Sequence, residues 1–347
     1  MTDHQLHRHV ASLFRGSESR STRIGIEHEL VTRDVNDESA VPIERVRRAV
    51  AGASYECSVG FEPGGQLELS LPCAPSLPHL AAEWDRTIGA LRADCARAGI
   101  AVDATPVDDR AVPRQLTSRR YAAMERHFDR IGPAGRRMMR QTASTQVCLD
   151  WWPGAAGREQ WRLALLAGPF LAAAFARSCG PASRLATWLA VDPGRTAYDD
   201  RLLRGHDPVA AYADFAAGAA VFAMPDGDPF EPTSFSSWAR THEVDAAAVA
   251  HHLSTLFPPV RPRGRYLELR FLDVQTDELV VPVATVLTRL MYDDGARRRA
   301  LRLVQYDDPR FVDHWETAAL WPEALADRAA ALLALADVPA RELVGVA

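Results

Sequence analysis

The sequence predicts an α+β fold built as one unit, and three observations lead there. Four extended runs, at 23–32, 61–72, 141–151 and 265–274, lie among stretches with helical spacing. All four share an alternation in which the polar phase carries the unusual residues. No internal repeat and no clean linker divides the 347 residues, a length that suits one large unit or about two domains. The expected organisation is one catalytic domain over 1–347, with an N-terminal arm at 1–20, a core at 21–300 and C-terminal helices at 301–347.

Each element has its own signal. The polar first 20 residues predict a short helix or arm. RIGIEHELVT at 23–32 predicts a strand, and FEPGGQLELSLP at 61–72 a second. Between Pro78 and Gly99, Leu80, Trp84, Ile88, Leu91 and Cys95 recur at helical spacing. Residues 101–117 read as strand and loop, and Tyr121–Gly132 as a helix. An arginine-rich turn, RRMMR, precedes the third extended run, QTASTQVCLDW at 141–151. An Ala/Leu-rich helix is expected over 158–179. The stretch 222–238 gathers Pro, Gly, Asp and Ser and predicts a long surface loop. A helix at 244–256, the breaker PPVRPRG and the strand RYLELRFLDV at 265–274 follow. Helices at 280–303 and 320–336 close the chain.

Composition narrows the chemistry. The 40 basic residues are all arginine, because the sequence contains no lysine. Schiff-base chemistry is therefore excluded, and with it pyridoxal-phosphate enzymes and class I aldolases. P-loop nucleotide hydrolases and protein kinases each need a lysine at the phosphates, so they are excluded too. A net charge of −5 and a pI near 6.1 argue against nucleic acid as a partner. Hydrophobic residues at 47% with a mean hydropathy of −0.16 are enough for a sizeable core. Five cysteines without CxxC spacing predict reduced thiols rather than a disulfide frame or a zinc site. No secretory leader is evident at the N-terminus, and the apolar stretch 162–176 is too short to span a bilayer. A cytoplasmic protein with no membrane partner is expected; the oligomeric state is not legible.

The polar strand faces carry the functional reading. Gly25, Glu27 and Glu29 share one face of the first run, and Gln66, Glu68 and Ser70 one face of the second. Thr142, Ser144, Gln146 and Cys148 share a face of the third, and Tyr266, Glu268 and Arg270 of the fourth. Paired in one sheet, these strands would converge three or more carboxylates beside Arg270 and two amides. Such crowding requires raised pKa values or bound divalent cations. An all-oxygen set suits Mg²⁺ or Mn²⁺, and a sheet face holding Mg²⁺ beside an arginine would cradle ATP phosphates without lysine. Two plainer readings stand beside this one. Alternating glutamates also suit a solvated strand face. Glu268 with Arg270 also suits an intrastrand ion pair worth at most about 1 kcal/mol if exposed. Pro63-Gly64-Gly65 predicts a tight turn flanked by Glu62 and Glu68. Cys148 and His28 read as a buried thiol and a core histidine, and His251-His252 as helix surface. Arg195 and Arg240 are candidates to grip a substrate carboxylate, although a surface role suits any one arginine among 40. The loop at 225–238 is a candidate cover for the site.

Gly25-Ile-Glu27-His-Glu29, Glu62-Pro-Gly-Gly-Gln66-Leu-Glu68-Leu-Ser70, Met138-Met139 with Thr142-Ala-Ser-Thr-Gln146-Val, and Tyr266-Leu-Glu268-Leu-Arg270 resemble the glutamate–cysteine ligases of the bacterial and plant type. The resemblance covers roughly residues 20–300 and is strongest to the actinobacterial branch that makes γ-glutamylcysteine for ergothioneine. It implies a glutamine-synthetase-like, antiparallel, funnel-shaped sheet with helices packed on its outer face. It implies ATP and two or three Mg²⁺ ions as cofactors, with L-glutamate and L-cysteine as substrates. Glutamate is activated as γ-glutamyl phosphate, and the amine of cysteine then displaces phosphate. Residue by residue, Glu27, Glu29, Glu68 and Glu268 match the metal-binding carboxylates, and Glu62 joins them from its motif. Arg270 matches the arginine that steadies the transferring phosphoryl group, with Glu268 and Gln66 beside it as catalytic candidates. Gln146 and Thr142 fall at nucleotide or metal contacts. A related ligase with another amine acceptor, a catalytically silent relative and a phosphagen kinase are the alternatives.

Overall fold

The computed structural model describes residues 2–51, 55–197, 201–204, 207–224, 227, 229, 231–305 and 312–338. Its centre is a seven-stranded antiparallel sheet: β1 (Ile24–Asp34), β2 (Ser58–Phe61), β3 (Leu67–Ser70), β4 (Ile100–Asp103), β5 (Thr145–Asp150), β6 (Val260–Pro262) and β7 (Tyr266–Leu269). The spatial order is β2-β3-β1-β5-β7-β6, and β4 pairs the far half of β1, from Val31 to Asp34.

Register follows the period-2 pattern, since a one-residue slip would turn every leucine outward. Ile26, Leu30, Leu67, Leu69, Val147, Leu149, Leu267 and Leu269 are all buried on one face. They share a continuous core with Leu80, Trp84 and Leu91 of the helix Leu77–Arg97, and with Val280, Val283 and Leu287 of the helix Asp277–Tyr292. Each such side chain contributes roughly 1.5–3 kcal/mol on burial. The first of these helices starts where Ser76 accepts the His79 N–H and ends before Gly99, at φ +68°. Trp84 Nε1 donates to Asp277 O at 2.8 Å, which ties the two helices together. His28 is buried on this face with its ring edge-on to Trp84, as a core histidine. Burial lowers its pKa to about 3.

Several local expectations change. RRMMR is not a turn but part of a helix, Ala134–Gln141. PPVRPRG does not simply break the chain, since Val260–Pro262 pairs with β7 as an edge strand, where proline is tolerated. The helix expected over 280–303 is two helices, Asp277–Tyr292 and Asp294–Leu303, because Asp293 caps the second through the Ala296 N–H. The Ala/Leu-rich helix runs from Gly154 to Ala174, earlier than 158–179. Ile43–Val50 is a helix with no counterpart in the sequence reading. His252 is buried rather than on the surface: its ring stacks on Phe235 and its Nε2 meets Ala216 O at 2.8 Å. Phe235 and Trp238 are buried as well, so the end of the supposed surface loop belongs to the core; residues 225, 226, 228 and 230 lie outside the described residues.

Candidate active site

The ladders place the polar phase of the four strands on one surface. Glu29 is opposite Glu68 across β1 and β3, Glu27 is opposite Gln146 across β1 and β5, and Cys148 is opposite Glu268 across β5 and β7. Arg270 follows β7 directly and donates its N–H to Pro259 O at 2.8 Å, which carries the pairing one residue further. The turn at Pro63–Gly65 brings Glu62 over the same surface. Oxygens of Glu29, Glu62 and Glu68 lie within 4.8 Å of one another.

This triad is strongly perturbed. Burial, with repulsion from Glu29 and Glu68, raises the Glu62 carboxyl well above the usual range. Glu68 is raised by burial and by Glu29, and Glu29 by burial, against the pull of Arg184 and of its bond from Ser144 N–H at 2.7 Å. Glu27 stands beside the triad, pushed up to about 7 by burial and by repulsion from Glu268 and Glu68. Burial lowers the Arg270 guanidinium, but Glu268, Glu27 and Glu29 more than offset this and the net shift is upward. Its Nη1 donates to Gln146 Oε1 at 2.6 Å and to Glu268 at 3.2 Å, whereas its buried Nε–H has no partner among the described residues.

Of the five acids expected to bind metal, three form the cluster. Glu268 instead meets Arg261, Arg263 and Arg270 at 3.5, 3.0 and 3.2 Å, so the ion-pair reading of Glu268 and Arg270 also holds. Both ends of the Gln66 carboxamide are taken by backbone: Oε1 accepts from Gly64 N and Nε2 donates to Thr142 O. The Thr142 hydroxyl donates to Met138 O. These two residues shape the floor and line the cleft, where the Gln66 amide has a second N–H and the Thr142 hydroxyl oxygen keeps its acceptor lone pairs. Gln146 bridges Arg270 and Glu29, the latter at 3.4 Å. Cys148 lies on the same face, buried, with its thiol pKa well above normal through burial and neighbouring Glu27 and Glu268. Arg195 is fully buried against Asp192, Thr255 and Ala220, so it grips the fold and not a substrate. Arg240 is exposed and bonds Ser237, and none of the described residues of 225–238 lines the cleft.

The second wall of the cleft was not legible in the sequence. Arg120, Tyr121 and Met124 of the helix Arg119–Asp129 line it, with Trp188 and Phe257. Arg120 donates to Ser254 Oγ and O at 2.9 and 3.0 Å and meets no carboxylate among the described residues. Trp188 donates Nε1 to Phe257 O, and its ring lies 5.6 Å from the Arg270 guanidinium and 5.4 Å from that of Arg184. Neither the group Arg120, Tyr121 and Met124 nor Trp188 sits in a legible motif. The cleft thus has an acidic floor with room for divalent cations, the Arg270 guanidinium beside it, and an opposite wall of aromatic and thioether groups with the Arg120 guanidinium, which bonds Ser254. The donor set, all carboxylate oxygen and repelling in the absence of a cation, fits Mg²⁺.

Comparison with known proteins identifies a family. The profile of glutamate–cysteine ligase family 2 matches residues 23–344. The glutamate–cysteine ligase EgtA of Mycolicibacterium smegmatis is 32% identical over 306 residues, covering 80% of this chain and 71% of that protein. EgtA of Mycobacterium tuberculosis is 31% identical over 292 residues, covering 78% and 66%. The chain thus spans about two thirds of the length of these relatives. A solved glutamine synthase homolog aligns over 99% of this chain and 71% of its own, at 15% identity and a TM-score of 0.37, too slight a likeness to weigh further. With the profile match over nearly the whole sequence, the chain belongs to glutamate–cysteine ligase family 2.

Proposed function

We propose that this chain joins L-glutamate, through its γ-carboxylate, to the amine of L-cysteine at the expense of ATP, giving γ-glutamylcysteine for ergothioneine biosynthesis in the cytoplasm. The observation that carries the reading is the acidic triad facing Arg270 across the sheet, in a chain whose family and EgtA relatives perform that ligation. On this reading 1–347 acts as one catalytic unit. Glu29, Glu62 and Glu68 hold Mg²⁺, with Glu27 and Glu268 as flanking charge. Mg²⁺ bound there neutralises phosphate oxygens. Arg270, which lines the cleft and is held in place by Gln146 and Glu268, directs its guanidinium at the group in transfer, where a fixed donor is most effective as charge develops. Gln66 and Thr142 form part of the cleft floor, Gln66 beside the reacting groups and Thr142 toward the nucleotide. Arg120 faces an anionic group of an amino-acid substrate, and the Trp188–Phe257 wall excludes water from the acyl phosphate.

The test mixes the protein with ATP, Mg²⁺, L-glutamate and L-cysteine and follows ADP and γ-glutamylcysteine. ADP release should require glutamate, and cysteine should be the amine consumed. If no glutamate-dependent ADP release occurs, the proposal fails. If another amine is preferred in a panel with glutamate fixed, the acceptor assignment fails while the ligase reading stands.

A further inference from the structure

Two acids of the triad are strand residues, locked opposite each other by the ladder of β1 and β3. Glu62 is different: it follows the end of β2, and the Pro63-Gly64-Gly65 turn sets its place. The three carboxyl groups stand within 4.8 Å of one another only while that turn keeps its place, so what holds it decides the geometry of the cluster. Its backbone is fully engaged. Gly65 N donates to Glu62 O at 2.8 Å, and Gly64 N donates to Gln66 Oε1 at 3.0 Å. The remaining three carbonyls accept from outside the motif. Pro63 O accepts from Gln115 N at 2.7 Å, Gly64 O from Gln115 Nε2 at 3.0 Å, and Gly65 O from Thr32 Oγ1 at 3.3 Å. Gln115 also donates to Val41 O and accepts from Ile43 N, at 3.0 and 2.8 Å, which anchors it on the start of the helix Ile43–Val50. The fit is close: a Cβ on Gly65, whose φ is +94°, would lie 2.3 Å from Gln115 Nε2.

We propose that Gln115, outside every motif, is a positioning residue that holds the Glu62 turn in place and so preforms the divalent-cation site. This rests on the metal reading of the triad. Gln115 acts through Glu62 and needs no contact with a ligand. Gln115→Glu keeps the shape and the acceptor for Ile43 N–H, but removes the donor shared by Gly64 O and Val41 O. Outer partners of metal ligands typically govern affinity by roughly 10- to 100-fold, and a loss in that range is expected.

The experiment is a titration of the full chain with Mn²⁺ without nucleotide, counting free Mn²⁺ by electron paramagnetic resonance. Gln115→Glu should raise the dissociation constant by about tenfold or more. Thr32→Val, which removes only the donor to Gly65 O, should raise it by a smaller factor, and it serves alone if Gln115→Glu does not fold. Gln141→Met is the control, because Gln141 pins the same loop through Asp108 O and Arg110 O without touching the turn. It should lower thermal stability and leave the Mn²⁺ constant unchanged. Unchanged Mn²⁺ affinity in folded Gln115→Glu and Thr32→Val overturns the proposal, as does an equal loss in Gln141→Met. If the unsubstituted chain binds no Mn²⁺, the metal reading itself falls, and this inference with it.

Discussion

Replacing Glu27 by glutamine should make the metal-free protein more stable at pH 8 while impairing the enzyme. The Glu27 carboxyl is pushed from 4.5 to about 7 by burial and by Glu268 and Glu68. In the folded chain it keeps its proton up to about pH 7, whereas in the unfolded chain it releases it near 4.5. Folding therefore takes up a proton between these values, and stability falls as pH rises through the window. Above pH 7 the full penalty applies, corresponding to about 3 kcal/mol for a rise of this size. Glutamine carries no charge, but its half-buried amide forgoes part of its hydration, at a cost of about 1 kcal/mol. The expected net gain is about 2 kcal/mol at pH 8, shrinking to nothing or reversing below pH 4.5. Urea unfolding of both proteins in EDTA at pH 8 and pH 4.5 measures it. A variant less stable than the parent at pH 8, or a gain equal at both pH values, would refute the claim that carboxylate crowding strains this cleft.

Two further outcomes follow from the same geometry. Glu68→Gln should leave the fold intact by circular dichroism but remove Mg²⁺-dependent ADP release, and activity that persists would remove Glu68 from the metal set. Arg270→Lys should lower kcat by roughly 10²–10³, the usual cost of one lost transition-state donor. An ammonium lacks the planar fork that bonds Gln146 and Glu268 while keeping further N–H donors for a phosphoryl group; a rate within threefold of the parent would assign the phosphoryl contact elsewhere.

Strand phase was legible because a period of two leaves no choice of face once one face is leucine and isoleucine. Glu27, Glu29, Glu68, Gln146 and Arg270 therefore landed together as expected. What phase cannot say is who neutralises whom. Glu268 shares the polar phase with Glu68, yet β6 brings Arg261 and Arg263 against it, and β6 was hidden inside a proline-rich breaker. Gln66 sits in the most specific motif of the chain, and its carboxamide also ties the turn to Thr142, a contact the motif does not report. Arg120, Trp188 and Gln115 were missed for one reason: each acts on partners more than 40 residues away in sequence, and no local period reports such a contact. The buried Arg195 and His252 show the same limit in the core, where an ordinary surface residue type is held by partners distant in the chain.

The absence of lysine acquires a physical sense in this setting. The cleft gathers Glu27, Glu29, Glu62, Glu68 and Glu268 with Arg184, Arg261, Arg263 and Arg270 close by. Burial lowers the pKa of Arg184 and Arg261. A lysine buried to the same degree would surrender its proton near neutral pH, and the acids would lose their counter-charge. A guanidinium starts so high that the same burial leaves it charged. Arginine can therefore be fixed behind the acidic floor as permanent charge, while Glu27, raised to about 7, titrates near neutrality. Rising pH through this range should then add negative charge to the cleft at Glu27 without removing the positive charge of its arginines.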